Sequence, residues 1–165
     1  MSQREMEMRA EEREALSLKD AAGHLLEECR MVLPGIQALF GFQLIVVFSP
    51  GFDDKLGPPE QYLHLLAIAL VIVAVILVMS PAAWHRQLGP REVTAGFIRI
   101  STRLLLASMF PLALGICLDF FLVAKIIIDD GRLPALMALV LAGIFGMVWF
   151  LFPRMGRLRD FLGRE

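Results

Sequence analysis

Apolar residues in this chain gather into four long blocks, and charged and turn-forming residues crowd between them. The blocks cover 31–49, 62–84, 104–128 and 133–152, each about the length that a helix rising ~1.5 Å per residue needs to cross a ~30 Å hydrocarbon layer. Inside the second block, IALVIVAVILVM (68–79) is apolar around its whole circumference, whereas a helix buried in a soluble domain keeps a polar stripe. The pattern predicts an all-α membrane protein, a four-transmembrane-helix bundle. Ahead of the first block the pattern changes. Leu18, Ala22, Leu25 and Cys29 recur at helical spacing while Lys19, Glu27 and Arg30 fall elsewhere on the circumference. This predicts an N-terminal amphipathic interfacial helix over 17–30, with Ser17 as its N-cap and Asp20 at the third helical position. Residues 1–16 form a polar segment before it, the membrane domain occupies 31–153, and residues 154–165 make a basic tail.

The links between blocks carry strong breakers. SPGFDDKLGPPEQ (49–61) holds Pro-Gly and Pro-Pro steps, and DDGR (129–132) is a tight turn that makes spans three and four antiparallel neighbours. Lys and Arg are distributed unevenly: five precede the first span, four lie between His85 and Arg103, and four follow Phe152. The 50–61 and 129–132 loops hold one each. By the positive-inside rule both termini are cytoplasmic. Trp84, Trp149 and Tyr62 fall near span ends, where amphipathic rings prefer to sit.

Composition agrees with the pattern. At 165 residues with 57% hydrophobic residues and a mean hydropathy of +0.65, the chain holds more apolar surface than a soluble domain of this size can enclose. A net charge of −1 argues against a nucleic-acid partner and leaves the lipid bilayer as the expected environment. The charged stretch QREMEMRAEEREALSLKD (3–20) has no apolar core of the kind a cleavable signal needs. Cys29 and Cys117 are placed too differently along the spans for a disulfide. No HExxH, GxSxG, P-loop or GxGxxG run is present, so no enzyme, cofactor or metal site is expected. His24, Glu27, Glu28 and His85 match no metal-binding spacing.

Candidate chemistry centres on LGICLDFFLVAKIII (114–128), where Asp119 lies among apolar residues roughly 13 Å from the outer end of its span. A carboxylate at that depth costs about 2.5 kcal/mol or more unless it meets water or a polar partner, so it should face protein or water. At 100° per residue, Ser101, Ser108, Leu112 and Gly115 fall on the side of Asp119, while Lys125 falls well away and is expected to reach the outer interface. The partner must then come from another helix, with Gln43 the first choice by depth and His64 the second. Ser108 shares the helix but stands three turns away. Such a contact either glues helices together or takes part in proton or ion movement. In span four, Ala138, Ala142 and Gly146 form a ridge of small residues. It is expected to pack on span three, with an oligomer seam as the other use. At the cytoplasmic interface, Glu28, Arg30, Gln37, His85 and Arg86 share one depth, where their charges are expected to pair across helices. Pro34 marks a kink or the join between surface helix and span.

The runs ECRMVLPGIQALFGFQ (28–43) and SPAAWHR (80–86) resemble a family of uncharacterised bacterial integral membrane proteins. There, E-x-R-x-x-L-P-G-[VI]-Q-x-L-F-x-F opens the first span and P-x-A-[YW]-H-R closes the second. Glu28, Arg30, Leu33, Pro34, Gly35, Gln37, Leu39, Phe40 and Phe42 match the first run, and Pro81, Ala83, Trp84, His85 and Arg86 the second. Gln43 departs from it, an aliphatic residue being more usual there. The resemblance implies four spans, cytoplasmic termini and a bacterial inner membrane, and it brings no mechanism. The expectation is a small protein, assembled as a homo-oligomer, that conducts protons or small cations past Asp119, with Glu28, Arg30 and His85 as gate or clasp. The rival expectation is an accessory protein that binds a cytoplasmic partner through its N-terminal helix.

Overall fold

The computed structural model describes the backbone over 3–88, 94–128 and 131–155, and side-chain surroundings within 16–87, 94–128 and 131–155. Among the described residues the chain is helical with no strands: α1 Gln3–Val47, α2 Phe52–Lys55, α3 Pro58–Leu88, α4 Ala95–Ile128 and α5 Arg132–Phe145, the last continuing into a π-helical stretch, Gly146–Leu151. Four segments are long and apolar enough to cross a membrane: Leu16–Val47, Pro58–Gln87, Ala95–Ile128 and Arg132–Met155. They mark a multi-pass membrane protein.

The helix ends follow local chemistry, with differences from the sequence pattern. Ser17 does not start a helix; it lies inside the 45 residues of α1, so the N-cap assigned to it is corrected. Charged and Ala-rich sequence on both sides of Ser17 has good helix propensity and nothing in it breaks the ladder. Helix α3 opens on Pro58, earlier than the apolar block, because a proline in the first turn brings a preset φ and lacks only an N–H that would have no helical partner. Helix α4 also starts early, where the Phe97 N–H donates to Thr94 Oγ1 at 3.2 Å in an N-capping bond. Gly51 takes φ +95°, the left-handed conformation that lets the chain leave α1 and enter the single turn of α2. Pro34, Pro81 and Pro111 lie inside α1, α3 and α4, each removing one backbone donor. Of the expected DDGR turn, Asp129 and Asp130 lie outside the described residues, as does the basic tail beyond residue 155.

The chain forms two compact units, Met1–Leu39 with Val73–Ser108, and Phe40–Ile72 with Met109–Glu165. The first buries Ala22, Leu25 and Cys29 of α1, together with Val78, Pro81, Phe97 and Ser101. Three residues of the apolar stripe assigned to a membrane-surface helix are thus buried, and Leu18 is half-buried. In the second unit Ala67 and Val71 of α3 are fully buried, and Gly115 of α4 meets them at close range. A Cβ at Gly115 would stand 3.1 Å from Val71 Cγ2 and 3.2 Å from the Ala67 carbonyl oxygen. That is the close helix approach of this unit, the kind small residues permit in membranes. All three residues of the Ala138–Ala142–Gly146 ridge are half-buried. Among the described residues a Cβ added at Gly143 or Gly146 meets nothing within 4 Å, so the packing on span three expected along the ridge is not found at Gly146. The fourth span is the least enclosed, with Pro134 the buried residue of α5. Its contact with α4 includes the Phe110 and Phe150 rings, edge to face with centroids 5.9 Å apart. Over the π-helical stretch the bonding widens, and the Phe152 N–H reaches the Met147 carbonyl five residues back.

Candidate functional site

Three polar side chains from three helices meet in the second unit. Near its end α1 supplies Gln43, α3 supplies His64 in its second turn, and α4 supplies Asp119. Gln43 and His64 are 3% and 5% exposed, so both are withdrawn from the surroundings of the chain. Gln43 Nε2 donates to Asp119 Oδ2 at 2.6 Å. His64 Nδ1 stands 3.3 Å from Asp119 Oδ1, and His64 Nε2 lies 3.0 Å from the Gln43 backbone carbonyl oxygen. The Phe52 ring packs edge to face on the imidazole, with centroids 5.8 Å apart. Phe52 is held by the loop, where Gln61 Nε2 donates to Asp53 Oδ1 and to the Leu56 carbonyl at 3.2 and 3.0 Å.

The hydrogen-bond roles in this cluster are constrained. A carbonyl oxygen only accepts, so His64 Nε2 carries a hydrogen and donates it to Gln43. In the neutral ring that leaves Nδ1 as an acceptor, and it faces a carboxylate oxygen that is itself an acceptor. A proton between them satisfies both atoms, as carboxylic acid with imidazole or as carboxylate with imidazolium. Asp119 Oδ1 is buried and, among the described residues, makes no hydrogen bond of good geometry despite its 3.3 Å approach to Nδ1, and Gln43 Oε1 also lacks a donor there. Two acceptors in one enclosed place thus await hydrogen or positive charge, an arrangement that costs about 1–3 kcal/mol per group when it stays unmet.

The remaining sequence-derived candidates are dispersed. Ser108 is buried on α4 and donates to the Leu105 carbonyl of its own helix at 2.7 Å, not to Asp119. Ser101, on the same face, is fully buried with its hydroxyl unpaired among the described residues. Lys125 pairs with Glu60 in the first turn of α3, a partner the sequence pattern did not single out because contact between distant positions leaves no local signature. In the first unit, Arg30 of α1 and His85 and Arg86 of α3 line one cavity of about 460 Å³, whose walls include Leu33 and Met79. Glu28 and Gln37 are exposed and do not line it. The expected charge pairing across helices is not found among the described residues. Among the described residues the ion pairs are His64–Asp119 and Lys125–Glu60, and neither involves Glu28, Arg30, His85 or Arg86. The His85 ring instead lies 6.0 Å from that of Phe97. Cys29 and Cys117 are both free and buried.

Residues 11–153 match the family described as "Family of unknown function (DUF6328)". No curated protein and no solved structure matches the chain.

Proposed function

We propose that this chain, which belongs to the DUF6328 family of unknown function, handles protons or small cations within the membrane, with Asp119 and His64 as the binding pair. The observation that carries the reading is the commitment of His64 Nε2 to the Gln43 carbonyl, which turns Nδ1 toward Asp119 Oδ1 at 3.3 Å. A contact that holds one proton between two buried acceptors can accept and release it with little rearrangement. Intramembrane carboxylate and imidazole groups commonly act as such relays. The donor-free Gln43 Oε1 offers the next acceptor for a water or a hydrated cation. We place the protein in the bacterial inner membrane with both termini cytoplasmic, on the Lys and Arg bias, and assembled as a homo-oligomer. The exposed Gly143 supports that assembly, since an added Cβ there meets nothing within 4 Å among the described residues, which leaves room for a second copy to approach.

Purified protein in liposomes carrying an internal pH-sensitive dye should dissipate an imposed pH gradient faster than protein-free vesicles. Asp119→Asn, which keeps the shape and removes the titrating group, should slow that dissipation at least about tenfold, as loss of an essential proton site does. Wild-type vesicles no leakier than empty ones, at every pH and potential applied, would sink the reading.

A second reading rests on α1. Its 45 residues have a contour of about 68 Å, roughly twice the hydrocarbon thickness, so much of the helix lies outside the apolar layer. In this reading the protein is an accessory that offers the N-terminal part of α1 to a cytoplasmic partner. Deleting residues 1–16 should then release every co-purifying protein while leaving the membrane domain folded, and retention of all of them dismisses it.

A further inference from the structure

The cavity between α1 and α3 in the first unit shares no residue with the Gln43, His64 and Asp119 cluster. Its polar rim is made by Arg30, His85 and Arg86 and its walls by residues such as Leu33 and Met79. Arg30 and Arg86, both exposed, line one space of about 460 Å³, and among the described residues neither has a carboxylate partner. Two cations lining one space favour an anion there over a neutral occupant. Guanidinium groups match the oxygens of a phosphate in a bidentate fork.

The walls narrow the class of anion. A free inorganic ion gains nothing from Leu33 and Met79, whereas an amphiphile buries alkyl carbon against them and keeps its phosphate at the rim. The cavity also lies where such a molecule waits. Arg86 is two residues from the end of α3, next to the end of an apolar segment, Pro58–Gln87, long enough to cross the hydrocarbon. Basic pockets between helices at that level suit anionic headgroups. We propose that this cavity binds an anionic phospholipid, its phosphodiester held by Arg30 and Arg86 and its acyl chain laid along the apolar wall.

The test is thermal unfolding of the purified chain in a neutral detergent, titrated with phosphatidylglycerol, phosphatidylcholine or inorganic phosphate, with native mass spectrometry counting retained lipid. Phosphatidylglycerol should raise the unfolding temperature and remain bound, and the other two should do neither. R30Q/R86Q should weaken phosphatidylglycerol binding at least tenfold. R99Q/R103Q removes the same charge from exposed positions on α4 and should leave binding intact. Should R30Q/R86Q fail to fold, Ala82→Phe, which fills the cavity and keeps both arginines, should abolish retention in its place. Equal protection by inorganic phosphate or by phosphatidylcholine overturns the proposal. So does an equal loss in R99Q/R103Q, which would mean general charge attraction, or undiminished binding in R30Q/R86Q or Ala82→Phe.

Discussion

The Gln43 side chain decides how Asp119 is housed. Its amide donates to Oδ2 at 2.6 Å while its backbone carbonyl fixes the imidazole of His64, so one residue orients both members of the pair. Gln43→Leu removes the side-chain donor and keeps the carbonyl. It should leave Asp119 short of a partner and cost about 1–2 kcal/mol of unfolding free energy, within the range for interhelical hydrogen bonds and stranded buried acceptors. Equilibrium unfolding in mixed detergent checks this, and a change below ~0.3 kcal/mol would mean that Asp119 finds another donor. The face on which Asp119 lies was readable beforehand because a helix wheel is fixed geometry: Ser101, Ser108 and Gly115, which share its side, are all buried. That both Gln43 and His64 reach it was not readable, because depth along a span limits partners without choosing among them. Glu60 was missed for a related reason. Its contact with Lys125 joins positions 65 residues apart, and nothing near either one announces it.

At the scale of the element, glycine spacing proved a weaker guide than glycine surroundings. Gly146 belongs to a ridge of small residues four apart and an added Cβ there meets nothing within 4 Å among the described residues, whereas Gly115, on a sparser stripe with Ser101 and Ser108, has a neighbouring backbone against it. Sequence shows where a close approach is allowed; only the neighbour shows where it happens. Gly115→Val should push against the Ala67 carbonyl, which cannot move without moving α3, and cost about 1–3 kcal/mol as overpacking does. Gly146→Ala should stay within about 0.5 kcal/mol of wild type in the monomer. Thermal unfolding of the two variants side by side checks the contrast, and equal effects would refute it. The first helix teaches the same caution. Ser17 has the chemistry of an N-cap, yet helix-favouring sequence on both sides lets α1 pass through it, and Ala22, Leu25 and Cys29 of the apolar stripe beyond it are buried.

For the whole molecule, the four apolar blocks were legible because membrane crossing depends on length and hydropathy, both of which are sums along the chain. The division into two compact units was not, since it depends on which stretches of different helices touch. Orientation rests on charge and makes its own prediction. A cysteine replacing Asp54, on the exposed single turn after Gly51, should react with an impermeant maleimide applied to intact cells. One replacing Ser17 should react only after permeabilisation. Cys29 and Cys117, being buried, should contribute little background. Reversed accessibility would invert the assignment.

The wide turns of Gly146–Leu151 carry a consequence for length. Such a stretch is what a helix becomes when it absorbs a surplus residue while both of its ends stay put. Side chains beyond Leu151 therefore point about 100° away from where an unbroken α-helix would aim them. The fourth apolar helix thus holds slack that α3 lacks. Shortening it by one amino acid inside the wide turns lets the ordinary ladder close again, while the same loss between Ala67 and Val71 swings one of the two surfaces that receive Gly115 out of line.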